Sequence, residues 1–466
     1  MINNVVALAR KAQVEWAQVP IRQRAQIFLK FSKLVLERQD QIMDTLQEET
    51  HKNRLSAFEE VLDTVQLSHY YGRNAAKILK TKRRRGAFPI ITKTHEVYRP
   101  FGVVGVITPW NYPFTLPSTD IAPAVIAGNT VVLVPDELTP KCASLMLDLM
   151  EEAGLPKGVV SIVQGGGRVH GTDLINAVDF IMFTGSTATG RLVAKQCAER
   201  LIGFSGELGG KNPLLVLSDA DVAKTAKGAV RSCFANSGQL CVSIERIYVV
   251  ESKYDEFLKA FVAETESMKL GSGNDWEIDM GPLISEKQFV RVRDQVTDAI
   301  SKGAQLAAGG RVRPDISATF FEPTILTKVS EDMELGRGET FGPVVAVYKV
   351  ANDDEAILLA NDTEYGLNSS VWGGAAAKRA SALLQSGTVT VNEGFSASFA
   401  SHDAPMGGMK SSGIGRRHGR QGLLKYTQPQ TIAVQRIIGI APIGKQTNRA
   451  FAKLVTGLLG VWNRIS

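Results

Sequence analysis

The sequence predicts an α/β protein with two parallel-sheet domains, and three observations carry that prediction. Short apolar runs (VVGVIT, TVVLV, VVSIV and FIMFT) start at Val103, each followed by turn residues and a helical stretch. Strands buried on both faces of a parallel sheet read as such runs, with helices between them. A second series starts after Gly210 with NPLLVL and RIYVV and closes with VVAVYKV and TVTVN. The length of 466 residues has room for about two to four domains.

Taken in order, residues 3 to about 80 read as helices. Ile27, Phe28, Phe31, Leu34 and Val35 recur at helical spacing, as do Val61, Val65 and Leu67. The run Lys80, Lys82, Arg83, Arg84, Arg85 and then Gly86 break the pattern. Residues 87–98 read as extended, around Ile90, Ile91, Thr92 and Val97. After both α/β series comes a last extended stretch, TIAVQRI, which pairs elsewhere. In the tail, Phe451, Leu454, Val455, Leu458, Leu459 and Trp462 share one helical face, with Arg449, Lys453 and Arg464 off it.

Composition excludes several classes. Hydrophobic residues make up 44% and charged residues 21%, an ordinary globular balance. No run of about 18 apolar residues exists to span a membrane as a helix. The start, MINNVVALARKAQVEW, lacks the apolar region of a signal peptide. Cys142, Cys197, Cys233 and Cys241 form no C-x-x-C pair and no Cys/His metal spacing. We therefore expect no disulfide framework, no metal site and a reducing, cytoplasmic setting. Net charge is +6. The basic run at 80–85 reads as a solvated loop, and no aromatics interleave with it, so no nucleic-acid partner is expected.

Five motifs carry chemistry. In the first, the strand VDFIMFT runs through Gly185, Ser186 and Thr187 into a helix, and a helix N-terminus offers N–H groups to a phosphate. The second, Glu207-Leu208-Gly209-Gly210-Lys211-Asn212-Pro213, sets a carboxylate beside two glycines. The third, Asn236-Ser237-Gly238-Gln239-Leu240-Cys241, surrounds a thiol with small polar residues. The fourth, Thr108-Pro109-Trp110-Asn111-Tyr112-Pro113, follows a strand, and the fifth is Glu339-Thr340-Phe341-Gly342-Pro343. Each alone fits a turn, a surface acid or an inert cysteine as well as a site.

Together and in this order they resemble the aldehyde dehydrogenase superfamily, from about Ala25 to Thr431. The resemblance includes NDTEYGL at 361–367 and MGGMKSSG at 406–413. It implies that family's fold: two Rossmann-related parallel-sheet domains plus a small bridging, oligomerising sheet. The cofactor-binding domain would comprise 1–81 and 99–208, the catalytic domain 209–410, the oligomerisation segment 82–98 and 425–436, and an amphipathic tail 437–466. It also implies roles. Cys241 is the nucleophile, Asn111 an oxyanion donor and Glu207 the general base. A nicotinamide dinucleotide lies along Ile107, Thr108, Pro109 and Trp110. Gly167 and Glu137 face its adenosine, and Phe183, Gly185, Ser186 and Gly190 its pyrophosphate. Leu208, Glu339 and Phe341 surround the nicotinamide end. The aldehyde tunnel comprises Tyr112, Leu116, Ala235, Leu240 and Val242, whose apolar character favours medium-chain or aromatic aldehydes. Parts of the chain, IER at 244–246 and GRRHG at 415–419, look like bacterial succinate-semialdehyde dehydrogenases. That substrate wants a cation in the tunnel, and none stands at the positions named. His402 is the nearest candidate and is expected to face solvent.

The chain departs from the family in two places. Val134 replaces a lysine that usually contacts the adenosine ribose or a 2′-phosphate, while Glu137 remains, which predicts NAD preferred over NADP, with NADP still possible. Asp120 and Arg417 reverse a usual lysine and glutamate, and we expect them to form an ion pair. The resemblance further implies a homodimer or homotetramer. The tail would pack on the protein or lie on an anionic membrane surface.

Overall fold

The computed structural model describes residues 1–86, 92–397, 401–436 and 441–465. Ile90 and Ile91 lie outside them. The helical spacing near the N-terminus produces α1 (Ile2–Trp16), α2 (Ile21–Glu37), α3 (Gln39–Thr50) and α4 (Arg54–Ile78). Phe28, Phe31 and Val35 on α2, and Val61 and Leu67 on α4, are the buried faces on which these helices pack. The chain divides into a larger unit, Met1–Ile78 with Pro100–Thr427, and a smaller one, Leu79–Arg99 with Gln428–Ser466.

In the smaller unit, β1 (Lys82–Arg84) pairs antiparallel with β2 (Thr92–Pro100). The larger unit holds the first parallel series: β3 (Val103–Ile107), β4 (Thr130–Val134), β5 (Val160–Ile162), β6 (Phe180–Thr184) and β7 (Gly203–Glu207). Helices α5 (Thr115–Ile126), α6 (Pro140–Glu152), α7 (Gly166–Ala177) and α8 (Thr187–Glu199) follow β3, β4, β5 and β6. Strand order runs β7-β6-β3-β4-β5. The direction of winding reverses between β3 and β6. A sheet of this kind takes its ligand outside the carboxyl ends of the strands at such a reversal.

β7 has no apolar run, since its sequence is GFSGE. It forms because its backbone is paired on both sides, with β6 in parallel and with Gly413–Ile414 antiparallel.

The second series gives a seven-stranded sheet. Its strands are β8 (Asn212–Val216), β9 (Ile244–Val250), β10 (Gln305–Ala308), β11 (Thr324–Thr327), β12 (Val344–Val350), β14 (Asn368–Trp372) and β15 (Thr388–Val391), with β13 (Tyr365–Gly366) in a separate ribbon. The order is β10-β11-β12-β9-β8-β14-β15, and only β10 runs antiparallel to its neighbour. Phe234, Phe257 and Phe261 stack in its core. Beyond it, β16 (Met409–Lys410) pairs with β13, and β17 (Gly413–Ile414) returns to the edge of the first sheet at β7.

The strand β18 (Thr427–Gln435) completes a three-stranded sheet with β1 and β2. Its residues from Gln428 onward are exposed, including Ile432 and Val434. The tail forms a helix over Asn448–Ile465, as its periodicity predicts. Leu454, Leu458 and Leu459 are exposed on it, while Arg85 lies 4.4 Å from the Trp462 ring centre. The Arg464 side chain is outside the described residues.

Candidate active site

Cys241 sits at the end of a tight turn. Helix α9 (Val222–Phe234) stops, and a 3-10 turn over Ala235–Gly238 follows with Asn236 and Ser237 at φ 49° and 58°. Such left-handed residues cost of order 1 kcal/mol each and persist only when neighbours hold them. Here Asn236 Nδ2 donates to the Asn111 and Gln239 carbonyls, and the Ser237 hydroxyl donates to the Gly281 carbonyl at 2.7 Å. Gly238 passes so near the Gly342 carbonyl that a Cβ would stand 2.1 Å from it. The Cys241 turn is thereby locked to the loop of Glu339 and Phe341. Cys241 is partly exposed, whereas Cys142, Cys197 and Cys233 are buried. Burial pushes the Cys241 thiol up to about 12, and the charge of Glu207 raises it further. At neutral pH it is a thiol that needs a base.

Glu207 ends β7 and is buried. Neither carboxylate oxygen has a hydrogen-bond partner among the described residues. Burial lifts its pKa to about 7, against the opposing pull of Arg417 and Lys425. A buried carboxylate left unpaired, whose charge acts on the Cys241 thiol, marks a candidate functional group rather than a source of stability.

Asn111 Nδ2 donates one hydrogen to the Gln239 carbonyl at 3.1 Å. An amide NH₂ has two, so the second is available to an oxyanion. A buried ion pair that sequence reasoning missed holds this loop. Lys52 Nζ lies 2.7 Å from Glu60 Oε1 and donates to the Asn111 carbonyl, while Glu60 Oε2 accepts from the N–H groups of Phe114 and Thr115.

The residues expected to hold the dinucleotide collect at the carboxyl ends of the first sheet. Ile107 closes β3 and leads to Thr108, Pro109 and Trp110; Phe183 is in the last turn of β6 before Gly185. Ser186 caps α8, its hydroxyl accepting from Thr189 N. Gly190 lies against Leu208, where a Cβ would stand 2.3 Å away, so the helix N-terminus comes down onto the sheet. Gly167 touches Ile107, and Glu137 faces Gly166. Trp110 and Phe341 meet edge to face at 5.5 Å. Glu339 accepts from Gly210 N at 2.8 Å, and burial raises its carboxyl to about 7. The N-terminus of α8, the close glycines and the two rings fit a dinucleotide. Glu245, quoted from sequence only within IER and given no role there, anchors the far side. Its carboxylate accepts from Thr340 N and Phe341 N and pairs with Lys211 at 2.6 Å.

In front of Cys241 lies a cavity of about 180 Å³. Asn111, Tyr112, Leu116 and Leu240 line it with Cys241, joined by Leu62, Phe395 and Met406. Ala235 and Val242 do not line it. Val242 is fully buried behind the wall, packed with Tyr112 and Leu240, and Ala235 packs against the same cluster. Glu59, Asp63 and Arg231 also line the cavity. Arg231 pairs with Glu59 at 2.9 Å. These three carry no motif, because α4 and α9 bring them together from far apart in the chain.

The expectation for His402 is corrected. It is buried and faces the His418 ring, with centroids 4.7 Å apart. Burial lowers its pKa to about 4, so it brings no charge to a substrate. The reversed pair forms: Arg417 Nη2 lies 2.5 Å and Nε 3.2 Å from the Asp120 carboxylate. The network is larger than expected. Lys425 Nζ is 3.6 Å and Tyr426 OH 3.3 Å from Asp120 Oδ1, and Arg417 also donates to Thr184 Oγ1.

The geometry agrees with what the chain is similar to. Residues 1–432 match the aldehyde dehydrogenase family. A relative from Mycolicibacterium smegmatis, provisionally named a succinate-semialdehyde dehydrogenase, NADP(+), is 51% identical over 94% of this chain and 85% of its own. The crystal structure of an Escherichia coli NADP-dependent enzyme superposes with a TM-score of 0.89 at 31% identity, covering 93% of this chain and 90% of that one. Betaine aldehyde dehydrogenase from Staphylococcus aureus, in complex with NAD+, gives 0.87 at 32% identity, covering 93% and 87%. The chain belongs to the aldehyde dehydrogenase family, whose members oxidise aldehydes with NAD or NADP.

Proposed function

We propose that the aldehyde is uncharged, with a medium-length apolar or aromatic body, and that Cys241, Glu207 and Asn111 carry the reaction. Glu207 takes the proton from the Cys241 thiol, and the thiolate adds to the aldehyde carbon. The oxyanion is met by the second N–H of Asn111 Nδ2 and by the Cys241 backbone N–H. A dinucleotide held by the cleft residues above would supply the hydride acceptor, and loss of the hydride would leave a thioester on Cys241. Once it has released that first proton to solvent, Glu207 takes a proton from the water that hydrolyses the thioester to the acid, and Cys241 leaves as the thiolate. One observation carries the substrate reading. The cavity surface is largely apolar, and both cations that line it are already paired, Arg231 with Glu59 and Arg417 with Asp120, while Asp63 adds a further carboxylate. A substrate carboxylate would meet those pairs at a loss.

The test is a panel of decanal, benzaldehyde and succinate semialdehyde followed by NADH absorbance. We expect kcat/KM for one of the first two to exceed that for succinate semialdehyde by about tenfold or more, the scale of one good contact. The reverse order would overturn the reading. Succinate semialdehyde is the second reading, favoured by the name of the Mycolicibacterium relative and by Arg231 at the rim. If it holds, Arg231→Ala raises KM for that substrate and leaves benzaldehyde unchanged.

NAD is the preferred dinucleotide in this proposal, because Glu137 opposes a 2′-phosphate. Arg168 and Lys287 act on the adjacent Asp136 and pull the other way. The two sheets form the cofactor-binding and catalytic domains. The smaller unit makes a homodimer or homotetramer, supported by the exposed Ile432 and Val434 on β18 and by the open apolar face of the tail helix. That helix packs on a partner subunit, with an anionic membrane surface as the second reading. Light scattering of the intact and tail-deleted protein checks the first, and liposome sedimentation the second. Among the described residues no helix is long and apolar enough to cross a membrane. Cysteines free of disulfides support a cytoplasmic setting.

A further inference from the structure

One cluster in the tunnel wall is left unused by this chemistry. Asp63 on α4 meets His402 and His418, and one ligand atom from each lies within 4.8 Å of the others. His402 Nε2 is 3.7 Å from Asp63 Oδ1 and 3.1 Å from Gln66 Oε1. His402 and His418 are only 7% and 3% exposed. Nδ1 of both rings and Oδ1 of Asp63 are buried with no hydrogen-bond partner among the described residues. Unmet buried polar atoms are costly, so Asp63 Oδ1 and His418 Nδ1 ask for a partner, and His402 turns its Nε2 toward the same Asp63 oxygen. The backbone is strained to hold this arrangement. His418 has φ 57° and ψ 171°, a region otherwise left to glycine.

We propose that Asp63, His402 and His418 bind one divalent transition-metal ion, zinc by preference, in the wall of the tunnel that leads to Cys241. Two imidazoles and one carboxylate suit such an ion rather than calcium or magnesium, which prefer all-oxygen sites. His402 Nε2 points at two oxygens, a position for either a proton or a metal ion. Binding displaces the proton to Nδ1. Zinc bonds of about 2.0–2.2 Å set ligands about 3.3 Å apart, so the Asp63, His402 and His418 side chains all shift inward from their present spacing on binding. Thr115 bonds the other carboxylate oxygen, Oδ2, and leaves Oδ1 free to ligate. Arg417, the nearest cation acting on Asp63, is neutralised by Asp120. Asp63, His418 and Cys241 line the same cavity, so the uncharged-substrate reading above applies to the metal-free protein, and a bound ion adds a positive charge to this wall.

The test uses the full chain carrying Cys241→Ser, so that an ion held by the nucleophile is not counted. Chelator-stripped protein is dialysed against zinc, and metal per subunit is measured. We expect one zinc per subunit, with affinity lowered about 10–100-fold or more by His402→Gln and by Asp63→Asn in the same background. Circular dichroism checks that each variant is folded. No zinc above background, or zinc unaffected by both substitutions, would overturn the site. Cobalt gives a second measurement that needs no further variant. A visible band of nitrogen–oxygen ligation in the Cys241→Ser protein supports the site, and its absence or a thiolate charge-transfer band sinks it.

Discussion

The substrate side and the rear of the site use buried charge in different ways. At the substrate side, the side-chain hydrogen bonds of Lys52 and Glu60 go to each other and to the backbone of residues 111–115. At the rear, Asp120 is held by the side chains of Arg417, Lys425 and Tyr426, and the charges of Arg417, Lys425 and Asp120 act on Glu207. The first arrangement fixes where a loop stands, and the second sets how readily a base holds its proton. Lys211 and Glu245 repeat the first kind on the cofactor side, where they hold residues 340–341. The contrast predicts that damage at the substrate side appears as lost stability and geometry, and damage at the rear as a displaced pH profile.

The largest effects fall on the reacting groups. Glu207→Gln keeps the shape but removes the proposed base, and we expect kcat to drop by about 10²–10⁴. A stoichiometric burst of NADH followed by a stall would place the loss in thioester hydrolysis, and a missing burst would place it in thiol activation. Asn111→Ala removes one oxyanion donor, with an expected loss of about 10²–10³ in kcat. Lys52→Met probes the same loop indirectly. It strands the Glu60 carboxylate in the interior at a cost of about 3–5 kcal/mol, which thermal unfolding measures. If Lys52→Met leaves both the melting temperature and kcat unchanged, the loop is not held as described.

The contrast also explains what the sequence made legible. Cys241, Glu207 and Asn111 were readable because each sits in a short ordered motif whose spacing survives without knowledge of the fold. The tail helix was readable from periodicity alone. Strand β7, which presents Glu207, was not, since GFSGE owes its conformation to hydrogen bonds with β6 and β17 rather than to apolar side chains. Lys52, Glu245 and Lys425 were equally silent. A lysine or glutamate reads as a surface residue until the fold buries it against a partner, and Glu245 reaches Thr340 across 95 positions. His402 was misplaced for the same reason. Its burial depends on α4 and on His418, neither of which is near it in a helical or strand pattern. Ala235 and Val242 flank the Cys241 turn, but its unusual backbone sends them behind the wall.

A smaller effect tests the rear directly. Glu207 serves as a base only as a carboxylate, so activity limited by hydrolysis should fall as pH drops through about 7. Lys425, lowered by burial to about 8, is still charged there and helps keep Glu207 ionised. Lys425→Met therefore moves the acidic limb of the kcat profile to higher pH. Asp120→Asn removes an anion that disfavours the carboxylate and moves the limb to lower pH. Opposite displacements from two neighbours are not produced by a merely structural role, and shifts in the same direction would discard the electrostatic account.

The smallest expected effect concerns the dinucleotide. Glu137 is exposed at the end of β4, where solvent screens its charge. Glu137→Gln should raise kcat/KM with NADP by no more than about tenfold, the worth of one screened charge contact of roughly 1 kcal/mol. It should lower kcat/KM with NAD if the carboxylate accepts from the ribose hydroxyls. Arg168→Ala should act in the opposite sense on NADP, because it removes a cation that acts on the neighbouring Asp136. The two substitutions thus bracket the adenosine end. If the NADP to NAD ratio responds to Arg168 and not to Glu137, the cation that Val134 no longer supplies has been replaced from α7, and the preference for NAD fails.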